Sequence, residues 1–151
     1  MCIRDSVTTQ AQIMAENGAD LLMLEMMIDI EQMMATYEAA KSSGLPIWVG
    51  LTCKSNEKGE ICLRDGDSLE QALVLLNNDK PDVINIMHTD VSHVIPALNC
   101  LKRQWFKQIG VYAHSGKAKN DKWTFNDVLS PAEYLHYVES WIDKGVTFIG
   151  G

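Results

Sequence analysis

The chain has 151 residues, 46% hydrophobic and 22% charged, a composition that belongs to a folded domain with one core and excludes a disordered polymer. A formal net charge of −7 excludes nucleic acid and anionic membrane surfaces as partners and leaves a small molecule as the expected ligand. None of the four cysteines forms a CxxC pair, and no apolar run reaches the roughly 18–20 residues that cross a bilayer, so the expected compartment is the reducing cytosol.

Residues 1–6 carry neither helical nor strand period and read as a non-native scar, which leaves 7–151 as the folded portion. The pattern over 7–17 predicts a helix closed by Gly18. A short apolar run, 20–26, follows and reads as a buried strand. Asp29, with Gln32 three residues on, starts a helix over 30–42 that Gly44 ends. The next strand spans 47–53, and Asp67 or Ser68 starts a third helix running through Asn77. After the strand at 83–88, Ser92 starts a fourth helix through Arg103, with Pro96 in its first turn. A strand at 109–113 leads to a polar segment, Lys117 to Lys122 with Trp123 after it, which reads as a solvated loop. Ser130-Pro131-Ala132-Glu133 supplies N-cap, first-turn proline and capping-box glutamate for a helix that Gly145 ends, and 146–149 is the last strand.

Strand–helix alternation of this kind requires a parallel sheet with right-handed crossovers. Both an open doubly wound sheet and part of a closed (β/α)8 barrel satisfy it. Polar residues gather at the C-terminal ends of the strands, at Glu25, Thr52, Cys53, His88, His114 and Ser115, where parallel α/β folds build their sites. No GxGxxG or GxxxxGK segment is present to cradle a phosphate, and no strand-end lysine to form a Schiff base. Cys53 reads as a packing residue, and the eight methionines as adaptable core filler.

Six blocks in order carry a resemblance: Asn17-Gly18-Ala19-Asp20 through Glu25, Gly44-Leu45-Pro46 through Cys53, Leu63-Arg64-Asp65-Gly66-Asp67-Ser68-Leu69, His93 through Leu98, Gly110 through Gly116, and Ser130 through Trp141 with Gly150-Gly151. Together they resemble the homocysteine S-methyltransferase family. The resemblance implies a partial (β/α)8 TIM barrel of about five parallel strands with intervening helices, 7–151 being the C-terminal portion of a single homocysteine-binding domain truncated at both ends. It implies methyl transfer from a donor to the thiol of homocysteine, giving methionine, with zinc holding the thiol as thiolate. Glu25, Thr52, His114 and Ser115 are then the expected substrate-binding residues, Glu25 holding the amino group. His88 falls at the family's first cysteine ligand, in Asn85-Ile86-Met87-His88-Thr89, and is the expected metal ligand, the other two lying beyond Gly151. This piece alone is then expected to be inactive. The competing expectation is a repurposed barrel without zinc that binds a small amino acid or thiol and transfers nothing.

Overall fold

The computed structural model describes residues 3–114, 117–119, 122–124 and 128–150. In chain order the elements are α1 (Ile3–Glu16), β1 (Leu22–Met27), α2 (Ile30–Ala40) with a 3-10 turn (Lys41–Ser43), β2 (Ile47–Leu51), β3 (Cys53–Ser55), β4 (Ile61–Leu63) and α3 (Leu69–Asp79). Then come β5 (Val83–Asp90), α4 (Val91–Leu101), β6 (Gln108–His114), β7 (Lys117–Lys119), β8 (Lys122–Thr124), α5 (Pro131–Asp143) and β9 (Phe148–Gly150). One five-stranded sheet, ordered β1-β2-β5-β6-β9 and parallel throughout, carries the five expected strands in sequence order.

Most of the expected punctuation is in place. The Asp29 carboxylate accepts from the Gln32 amide at 2.7 Å, Gly44 closes the turn after α2 at φ 72°, and Ser130 and Glu133 form the reciprocal capping box of α5. Several boundaries differ. Helix α1 begins at Ile3, inside the segment that shows no period, because helical hydrogen bonding extends past the amphipathic stretch. Ser68 caps α3, whereas Asp67 accepts from the Ile30 amide at the start of α2. Asp90, two residues before the expected cap, starts α4 by accepting from the Ser92 amide, so Pro96 lies in the second turn and removes one helical hydrogen bond. Two antiparallel hairpins, β3–β4 and β7–β8, are additions: the first begins where β2 was expected to end, and the second occupies the expected polar loop.

Alternation along the strands divides the sheet into two faces. Leu22, Leu24, Val49, Leu51, Ile84, Ile86, Ile109 and Val111 join Met33, Leu73, Leu98 and Trp141 in one buried cluster on the helix side. The opposite face carries Met23, Trp48, Gly50, Asn85, Met87, Gly110, Tyr112 and Phe148. Its glycines make room for their large neighbours: a Cβ on Gly50 would meet Met87 Sδ at 2.8 Å, and one on Gly110 would overlap Asn85 Oδ1. The rings of Trp48 and Phe148 lie 4.4 Å apart, although β5 and β6 stand between their strands. Three strand spacings in a flat sheet come to roughly 14 Å. The sheet therefore curls toward this face, as a barrel wall does. Among the described residues no helix is long and apolar enough to cross a membrane.

Substituting Gly110→Ala should displace the Asn85 amide and lower stability by about 1–3 kcal/mol, read as a drop in the urea midpoint without a change in slope. An unchanged midpoint would mean that this face is looser than its packing indicates.

Candidate functional site

Two strands of the sheet are interrupted near their C-terminal ends. Between β1 and β2 the register slips from Leu24 to Met27, and between β5 and β6 from Met87 to Asp90. Each slip inserts one residue, and each contains a non-glycine residue in the left-handed region, Met26 at φ 56° and His88 at φ 48°. Such a conformation costs roughly 1–2 kcal/mol and persists only where the surroundings impose it.

The slip in β5 changes what His88 faces. Met87 points to the concave face, so strict alternation would send His88 to the helix side. The bulge brings it back. Its ring centroid lies 5.1 Å from that of Tyr112 and 5.0 Å from that of His114, and its Nε2 is 3.8 Å from Glu25 Oε2. Glu25 remains more than half exposed, and His88 is largely covered. A carboxylate, two imidazoles and a phenol thus share one rim of the sheet.

Of the expected site residues, the structure gathers Glu25, His88 and His114. Thr52 is 1% exposed and its hydroxyl has no hydrogen-bond partner among the described residues, so it is buried where Glu25 is open. Ser115 lies outside the described residues. Burial, the neighbouring His88 and the positive charge of Arg64 hold His114 below the ordinary histidine pKa, and Asp90 opposes them. Tyr112, Arg64 and Asp90 are not singled out by the sequence pattern. For Tyr112 the signal was present, since it lies two residues before His114 on the same strand face.

The residues do not by themselves provide a zinc site. No three histidine, cysteine, aspartate or glutamate side chains converge on a possible metal position among the described residues. Cys53, Cys62 and Cys100 are buried free thiols, and burial pushes Cys53 up to about 12, which keeps it a protonated packing group.

A curled parallel sheet of this order is part of a (β/α)8 barrel, and its polar cluster stands at the strand ends where that fold builds its sites. The homocysteine S-methyltransferase family model matches residues 2–151, and the chain belongs to that family. Homocysteine S-methyltransferase 2 of Arabidopsis thaliana is 25% identical over 155 residues, which cover 99% of this chain and 45% of the relative. Selenocysteine methyltransferase of Astragalus bisulcatus is 24% identical over the same shares. The chain thus spans about half the length of the curated relatives it matches. Apo homocysteine methyltransferase MmuM from Escherichia coli shares the fold with a TM-score of 0.73 at 22% identity, over 100% of this chain and 53% of that one.

A histidine held below its ordinary pKa binds fewer protons folded than unfolded. The stability it supports is complete above about pH 6.5 and is lost as pH falls through the folded value. Proton NMR should find the His114 midpoint below about 6.5, and lower still in Asp90→Asn, which removes the opposing charge. A wild-type midpoint at or above that value would contradict the described surroundings.

Proposed function

We propose that the chain forms the homocysteine-binding half of an S-methyltransferase, and that the complete protein transfers a methyl group to the homocysteine thiol to give methionine. The observation that carries this reading is the convergence of Glu25, His88 and His114 at one rim of a sheet belonging to this family. The Glu25 carboxylate holds the substrate ammonium, since a half-exposed acid at the rim pairs with a cation without the cost of burying its own charge. His114 stands beside His88 at the same rim and is read with Thr52 and Ser115 as the rest of the substrate-binding set, Ser115 lying outside the described residues. In the reaction the sulfur gives up its proton to water and attacks the methyl carbon, and the donor leaves with the electron pair of its bond to that carbon.

Zinc supplies a deprotonated thiol when it is bound. The described residues offer it only one family-aligned ligand, His88, so a zinc bound by the complete domain takes its other two from beyond Gly151. No step above is routed through it. A second reading has support in the same residue: His88 stands where the family resemblance puts a sulfur, which suits a repurposed barrel that binds an amino acid or thiol and transfers nothing.

We place residues 7–151 within a larger single barrel domain. Among the described residues the sheet edges at β1 and β9 are each paired on one side only, and apolar grooves lie beside both. The first is lined by Met14 and Leu22 among others, and the second by Leu135, Val138 and Ile149. Further strands and helices of the same domain cover them. Unpaired free thiols suit the cytosol.

Calorimetric titration of the complete domain with L-homocysteine tests the reading. Glu25→Gln should weaken binding by about tenfold to a hundredfold, the worth of a charged hydrogen bond. Methionine formation with an added sulfonium or betaine methyl donor separates the two readings: binding without any product assigns the repurposed barrel. The 151-residue chain alone should self-associate in sedimentation, because its grooves and strand edges are uncovered. A monodisperse monomer with a cooperative melt would instead make it a complete domain.

A further inference from the structure

Thr89 follows the left-handed His88 and is 1% exposed. Its hydroxyl makes two hydrogen bonds that straddle the bulge. It donates to the Met87 carbonyl at 2.9 Å and accepts from the Cys53 amide at 2.9 Å. Both partners lie where regular pairing stops. The β2–β5 ladder ends at Leu51 and Ile86, and the register of β5 against β6 slips just past Met87. Buried backbone groups at such a break need side-chain or water partners, and one hydroxyl, donor and acceptor at once, serves two of them. The chain entering β3 is thereby tied to the two residues that flank His88.

We propose that Thr89 is a positioning residue for His88: its hydroxyl clamps the β5 bulge to the β3 backbone and so holds the imidazole beside Glu25, Tyr112 and His114. The clamp accounts for how a non-glycine residue stays at φ 48°. On the next residue, Asp90 caps α4 through the Ser92 amide at 2.9 Å and the Ser92 hydroxyl at 2.6 Å, which anchors the C-terminal side of the same bulge. What the imidazole does for a substrate rests on the function proposed above, but where it sits does not.

The test uses the complete domain, with Thr89→Val removing the hydroxyl at nearly constant shape and Thr89→Ser keeping it. In wild type and Thr89→Ser, nuclear Overhauser contacts from the His88 ring to the rings of His114 and Tyr112 are expected, together with a slowly exchanging Cys53 amide. In Thr89→Val the ring contacts should disappear and Cys53 exchange should accelerate by about tenfold or more, the equivalent of one lost hydrogen bond. Ring contacts that survive in Thr89→Val would overturn the proposal, as would their loss in both variants, which would assign the effect to packing. If Thr89→Val does not fold, wild type decides alone. A Cys53 amide protected no better than that of exposed Lys58 would overturn the clamp, and a protected one with a Thr89 hydroxyl proton in contact with it would uphold it. Homocysteine titration of the complete domain is read separately: unaltered affinity in a variant whose ring contacts are lost would detach homocysteine binding from the position of His88 and leave the clamp standing.

Discussion

Side chains on a β-strand alternate between faces, and in a curled parallel sheet the two faces have incompatible duties. One packs on helices and must be apolar; the other looks into the barrel and can carry chemistry. Met87 already points inward, so without the inserted residue His88 would be driven into the cluster around Ile84, Ile86 and Leu98. An imidazole there would need a partner that this cluster does not offer. The bulge resolves the conflict by giving His88 its own left-handed step. The contacts of His88 with Glu25, Tyr112 and His114 all depend on that step.

The concave face then has to accommodate the inward residues. Gly50 lies beneath Met87, and Gly110 beneath Asn85. Large side chains on adjacent strands would otherwise collide as the sheet curls, and alternating small with large lets the wall bend without voids. The approach of Trp48 to Phe148 records the same curvature from further across the sheet. Asn85 Nδ2 remains without a partner on this buried face among the described residues, a polar group suited to an ordered water or to a residue that completes the interior.

The five strands and their order were legible because each is a short apolar run bounded by strong helix signals, such as Asp29 with Gln32 and Ser130 with Glu133. Closure was not legible from period, since parallel strands buried on both faces read alike in open sheets and barrels. Strand-end position was enough to bring Glu25, His88 and His114 together. Thr52, where the chain passes from β2 into β3, is buried instead of standing open at that rim. Neither bulge could be read, since Met26 and His88 are not residues that announce a left-handed conformation. The hairpin β3–β4 escaped for another reason: its strands are three residues long and show no alternation.

That hairpin matters to the site more than its size suggests. Backbone bonds link the rim in series: the Thr52 amide donates to Met27, the Arg64 amide to Thr52 and the Asp65 amide to Ile28, while Asp67 accepts from the Ile30 amide. The segment after β4 is thus stitched to the end of β1 and to the start of α2. Arg64 is thereby held where its charge reaches His114. A guanidinium is charged at every physiological pH, so its field disfavours a second cation on the imidazole whatever the solution conditions. Asp90, fixed as the α4 cap, supplies the opposing field from the other side. Burial and the neighbouring His88 lower the His114 pKa first, and the charges of Arg64 and Asp90, held on separately anchored backbone, then act on it in opposite directions, so loosening either anchor would shift it in a known direction.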